Sequence, residues 1–142
     1  MGLATFEDAF NLLCGDKLGE GIHRNVFECR LRDDLVVKVE KENAWRFFAN
    51  VHEMKFWDEY QGNSAIAKWL APCDYLSPDG RILLQKRVRM VQPMDAVPDT
   101  LPQFLTDIKR GNFGWIGTQL VAVDYAITDT NASVRMKKAV WV

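Results

Sequence analysis

The sequence predicts an α+β domain in which short antiparallel hairpins carry one long helix. Three stretches of the 142-residue chain predict it. Residues 17–40 hold two strand-like runs. In the first, Val26, Glu28 and Arg30 alternate with Phe27, Cys29 and Leu31; in the second, the β-branched run around Val36, Val37 and Val39 follows the acidic turn Arg32-Asp33-Asp34. Residues 41–61 contain no proline, and Trp45, Phe48, Ala49, Phe56 and Tyr60 recur with a helical period. Residues 66–88 repeat the hairpin pattern around Ser77-Pro78-Asp79-Gly80, whose residues favour a tight turn.

The remaining elements follow from local chemistry. Phe6, Ala9, Phe10 and Leu13 lie three and four apart, which predicts a first helix ended by Gly15. Beyond Val91 the texture changes: Pro93, Pro98 and Pro102 interrupt the chain and predict an extended connector. Residues 101–108 predict one or two helical turns. Residues 118–128 read as a strand, approached through Asn112, Phe113, Gly114 and Gly117, and residues 133–142 as a last strand or a partner-binding end.

Eighteen basic residues against nineteen acidic ones leave a net charge of −1, so electrostatics supplies no case for nucleic acid or an anionic membrane surface. No apolar run approaches the roughly 20 residues of a membrane span, and the acids near the start argue against a secretory leader. Cys14, Cys29 and Cys73 are scattered without metal-ligand spacing, which predicts reduced, buried thiols in a cytoplasmic protein.

Several residues stand out as carriers of chemistry. Gly19 and Gly21 are spaced so that the backbone can turn tightly and approach a phosphate closely, or simply close a hairpin. Lys38 interrupts an apolar strand, where alternation either directs it to solvent or holds it as a cation for an anion. Glu53 lies beside the apolar stripe of the long helix, and a carboxylate at that face wants a partner, with Lys38 the obvious one. Glu59 is the competing carboxylate, further round the helix. Asp107 and Asn112 are five apart: the acid can accept a proton from a hydroxyl, the amide can turn back to ligate Mg²⁺, and Lys109 between them can neutralise phosphate charge. Asp124 follows the apolar run 120–123, placed as a second metal ligand or as a strand cap.

The order of these features is more specific than any one of them. Gly-x-Gly, hairpin, Val-Val-Lys, helix with an inward Glu, a further strand, Asp-x-Lys-x-x-Asn and an apolar strand ending in Asp resembles the signature order of protein-kinase-like phosphotransferases. The Asp-Ile-Lys-Arg-Gly-Asn form also resembles the catalytic loop of aminoglycoside- and choline-kinase-like relatives, and of compact phage and bacterial kinase-like proteins. The resemblance spans residues 18–126. It implies one truncated kinase-like domain, 1–142, with an N-lobe-like part at about 16–91, a connector at 92–104 and a catalytic-loop and metal-site remnant at 105–142. It implies ATP and Mg²⁺ as ligands: Gly19 and Gly21 over the phosphates, Val26 on the adenine, and Lys38 on the α- and β-phosphates with Glu53 orienting it. Leu84, Gln85 and Arg87 would offer a hinge edge to the adenine, Asp107 would be the base, Lys109 would lie near the γ-phosphate, and Asn112 and Asp124 would hold the metal.

The chain departs from that pattern in places. Arg24 stands where a third glycine is usual, and Leu105-Thr106 replaces the histidine-containing pair before the catalytic acid. The twenty or so residues after the hinge-like strand cannot hold the usual pair of long helices, and 18 residues after Asp124 leave no room for a helical substrate lobe. Three readings follow: a minimal phosphotransferase; an inactive pseudokinase-type protein, phage-encoded, that binds and inhibits a host protein in the host cytoplasm; and a plain α+β domain in which the motifs coincide. The apolar end, residues 137–142, is expected to support a homodimer.

Overall fold

The structure, a computed structural model, describes residues 5–126 and 132–142. Helix α1 (Phe6–Leu13) begins where Thr5 and Asp8 form a reciprocal capping box, the Thr5 hydroxyl accepting from Asp8 N and the Asp8 carboxylate from Thr5 N, each at 3.1 Å. It passes directly into β1 (Cys14–Glu20), so Gly15 lies in a strand rather than ending the helix. Strands β2 (Arg24–Cys29) and β3 (Leu35–Glu40) follow, then a single 3-10 turn over Trp45–Phe47 and helix α2 (Ala49–Tyr60). A short helix, α3 (Ser64–Ala67), precedes β4 (Cys73–Leu76) and β5 (Ile82–Lys86). The chain closes with β6 (Arg89–Met90), β7 (Thr100–Pro102), β8 (Phe113–Ile116), β9 (Gln119–Ala122) and β10 (Met136–Lys138).

The fold is α+β. Its main sheet is five-stranded and antiparallel, in the order β1-β2-β3-β5-β4. A second sheet joins β6, β8 and β9, and a third pairs β7 with β10. Backbone contacts divide the chain into two units, residues 1–54 with 73–87, and residues 55–72 with 88–142.

In the first unit the two faces of the sheet differ in chemistry. Leu35, Val37, Val39 and Ile82 form an apolar core with Cys14 and Cys29, and α1 lays Phe6, Ala9, Phe10 and Leu13 on it. The side chains of Arg24, Val26, Lys38 and Glu40 alternate to the opposite face, since Arg24 pairs with Glu40 and Val26 with Lys38. Both faces of β3 are therefore covered, which is why five of its six residues are buried and its polar-apolar alternation fades. The three cysteines are free and buried as expected, and burial, reinforced by the neighbouring Cys29, pushes the Cys14 thiol up to about 11.

The structure corrects several expectations. The long helix starts at Ala49 rather than near 41, because Phe48 takes a left-handed backbone, φ 51°, that interrupts the helical path. Residues 101–108 hold no helix: Leu101 and Pro102 belong to β7, paired with Lys137 and Met136. The stretch Phe113–Ile116, read as an approach, is a strand, joined to β9 across Gly117 (φ 61°) and Thr118 in a two-residue hairpin turn. The strand expected over 118–128 is confined to Gln119–Ala122, and residues 127–131 lie outside the described ones. Among the described residues no helix is long and apolar enough to cross a membrane.

Candidate functional site

The first unit holds a buried charge cluster on the α2 face of its sheet. The α2 face that meets the sheet carries Asn50 and Glu53, each 0% exposed. Lys38 Nζ donates to Glu53 Oε2 at 2.8 Å, and Arg24 grips the same carboxylate in a fork, Nη1 to Oε2 at 2.7 Å and Nη2 to Oε1 at 3.3 Å. Asn50 ties the group together: its Oδ1 accepts from Arg24 Nη1 at 3.1 Å and its Nδ2 donates to Lys38 O at 3.1 Å. Glu40 Oε1 accepts from the Asn50 backbone N–H at 2.6 Å, serving one of the open donors in the first turn of α2.

The electrostatics follow from burial. Desolvation alone would raise the Glu53 carboxyl, but the Arg24 guanidinium and the Lys38 ammonium outweigh it and hold the group at about 2. Glu40 goes the other way: burial pushes its carboxyl above 4.5, only partly offset by the Asn50 N–H and Arg24. Glu59 is exposed, so Glu53 is the partner of Lys38. Arg24, Asn50 and Glu40 were not anticipated as members. The signal was available for Arg24 and Glu40, since positions 24, 26, 38 and 40 share a face once the hairpin register is known.

Gly19 lies in β1, paired with Val26, and Gly21 just beyond the strand; both pack against little. A Cβ built on Gly19 would meet nothing within 4 Å, one on Gly21 only Arg24 O at 3.6 Å, and neither residue has a positive φ. The fold itself thus gives no steric reason for glycine at 19. Val26 stands directly opposite Lys38 in the ladder. The hinge expectation needs correcting: Leu84 and Gln85 lie in β5 between β3 and β4, where their main chain serves the sheet, and the Arg87 N–H is given to Asp34 O at 2.8 Å. The free backbone edge expected at these residues is therefore absent at Leu84 and Gln85, and the Arg87 donor is taken.

The second unit brings Asp107, Lys109 and Asn112 together. Asp107 has a left-handed backbone, φ 51°, a conformation Asp tolerates better than most residues. Asn112, 7% exposed in a 3-10 turn (Arg110–Asn112), closes the loop: Nδ2 donates to Asp107 O at 2.9 Å and to Asp107 Oδ2 at 3.0 Å. Lys109 Nζ lies 3.7 Å from the same Oδ2. The Val123 N–H donates to Asn112 O at 2.9 Å, which brings Asp124, two residues past β9, onto the segment next to Asn112.

Among the described residues no group of three His, Cys, Asp or Glu side chains gathers as a metal site. Asn and Asp side chains carry the kind of oxygen donors that a hard cation takes. With its Nδ2 turned onto Asp107, the Asn112 amide presents Oδ1 as its remaining acceptor, and oxygen is what Mg²⁺ takes. In the segment expected to support a dimer, Trp141 Nε1 donates to Pro98 O at 2.8 Å and its ring packs edge-on against Phe113 at 5.1 Å, while Val140 and Val142 are exposed. No protein-family model matches the sequence and no curated protein matches it, so a functional assignment rests on the chemistry of these two clusters.

Proposed function

We propose that the chain is a minimal protein-kinase-like phosphotransferase that takes Mg²⁺-ATP and transfers the γ-phosphoryl group to a hydroxyl of a protein or small molecule. The observation that carries this reading is the Lys38–Glu53 pair at 2.8 Å, on the third strand and the following helix of a sheet ordered β1-β2-β3-β5-β4. Desolvating a lysine and a glutamate costs several kcal/mol per ion, and apolar residues of similar size often fold as well. A lysine so oriented is suited to neutralise phosphate charge. The clear space around Gly19, in β1 beside the turn into β2, leaves room for phosphates to approach the backbone there.

In this reading Asp107 accepts the proton of the acceptor hydroxyl as its oxygen bonds to phosphorus and the bond to the β-phosphate oxygen breaks. Asn112 holds Asp107 by its main chain and carboxylate, and Lys109 offsets charge beside it. Asn112 and Asp124 would hold Mg²⁺, which supplies charge neutralisation at the phosphates. The test is transfer of label from γ-labelled ATP, with wild type expected to turn over and Asp107→Asn to fall by about 10²-fold or more. Equal rates for the two proteins would contradict the assignment.

A second reading, a pseudokinase-type protein that binds and inhibits a host protein, draws on Arg24. Its guanidinium occupies the carboxylate that Lys38 uses and stands where the loop resemblance calls for glycine. Inhibition of a partner that survives both Lys38→Met and Asp124→Asn would favour it.

A further inference from the structure

The Asp107 loop carries a left-handed residue at its centre, and such a conformation persists only where the surroundings fix it. Asn112 supplies one tie from within the loop. The others come from the far end of the chain. After β10 pairs with β7, Lys137 Nζ donates to Leu105 O at 2.6 Å and to Gln103 O at 3.2 Å. The Gln103 N–H in turn reaches Arg135 O at 2.8 Å. On the other side of Asp107, the Val142 N–H donates to Ile108 O at 3.2 Å, and Trp141 sits on Phe113, the residue after Asn112. Residues 137–142 therefore tie down the chain both before and after Asp107.

The chemistry of Lys137 makes it the central tie. Its ammonium accepts no hydrogen bond and offers three donors, and two carbonyls at the entrance to the loop accept from it. Leu105-Thr106 stands where the resemblance has a histidine-containing pair. The bracing group comes instead from a position 32 residues later. We infer that the segment 137–142 is a strap that positions the Asp107 loop, with Lys137 and Trp141 as its positioning residues. As a statement about catalysis, this rests on the phosphotransferase reading above; as a statement about loop order, it does not.

The experiment is amide hydrogen exchange on the full chain, comparing wild type with Lys137→Met, Lys137→Arg and Trp141→Phe. Lys137→Met keeps the apolar stem and removes the donors, and Trp141→Phe keeps a ring but loses the Nε1–H bond. Exchange over residues 103–112 should accelerate about tenfold in Lys137→Met and less in Trp141→Phe, while residues 115–122 keep wild-type protection. Lys137→Arg should restore most of the order. Unchanged exchange over 103–112, or an equal rise over both regions, would overturn the strap. Where wild type transfers phosphoryl groups, Lys137→Met should lower kcat about tenfold with the KM for ATP unchanged, and a rise in KM alone would contradict the positioning role. Absence of turnover in folded wild type would sink the phosphotransferase reading, and the exchange result would still decide the strap.

Discussion

Glu53 and Asp107 are both carboxylates facing a lysine, yet their settings are opposite. Glu53 is 0% exposed between Arg24 and Lys38, whereas the Asp107 side chain is 71% exposed and lies 3.7 Å from Lys109. In the first cluster every charge is withdrawn from water, so each group depends on the others and removing one strands the rest. In the second, solvent screens the charges and the pair contributes little to folding. The difference separates two jobs. The buried cluster ties the start of α2 to the sheet; in the open one Asn112 Nδ2 meets both the main chain and the carboxylate of Asp107, whose side chain stays largely exposed.

The largest effect should come from breaking the buried cluster. Glu53→Gln leaves Arg24 and Lys38 without their counter-charge and should cost about 3–5 kcal/mol in denaturant unfolding. The same carboxylate sets an acid dependence. Its folded value of about 2 lies below the ordinary 4.5, so its contribution is complete above roughly pH 4.5 and is lost as pH falls towards 2. Glu53→Gln should remove that limb of the stability profile; a loss below 1 kcal/mol would mean that the cluster is dispensable. Asp107→Asn is the matching change in the open cluster. It should shift stability by less than about 1 kcal/mol while removing turnover, and a larger stability loss would erase the contrast.

Glu40 offers a smaller, opposite effect. Burial raises its folded carboxyl above 4.5, so between the two values the native state binds more protons than the unfolded state. Stability from this group therefore falls as pH rises through that interval. Glu40→Gln keeps an acceptor for the Asn50 N–H and should be the more stable protein at pH 7 by about 1 kcal/mol, with the gain gone at pH 4. Gly19→Ala should be the mildest for folding, within about 0.5 kcal/mol, since a Cβ there meets nothing; any loss of ATP affinity in this variant then reports on the end of β1 alone.

Much of the first unit was legible because its signals are local. The stripe of α1 and the turn at Ser77, Asp79 and Gly80 need only neighbours in sequence, and Asp79 Oδ1 indeed accepts from Ser77 Oγ at 2.7 Å and Arg81 N at 3.0 Å. The pairing of Lys38 with Glu53 was legible as one of two options, because a lysine in a strand covered on both faces cannot be assigned by alternation. Arg24 was visible only as a departure from a pattern; its role depends on the register that sets it opposite Glu40. The start of α2 was misplaced because propensity says nothing of the left-handed turn at Phe48. The strap was illegible because Lys137 and Leu105 meet only through the β7–β10 pairing, a contact no local window contains.

The most direct test of the central claim is calorimetric titration of Mg²⁺-ATP into wild type and Lys38→Met, with thermal unfolding to confirm that both are folded. The account predicts saturable one-to-one binding by wild type, at least tenfold weaker binding by Lys38→Met, and unchanged binding by Asp107→Asn. No binding by folded wild type, or equal binding by Lys38→Met, would contradict the reading of the buried Lys38–Glu53 pair as a phosphate-facing site.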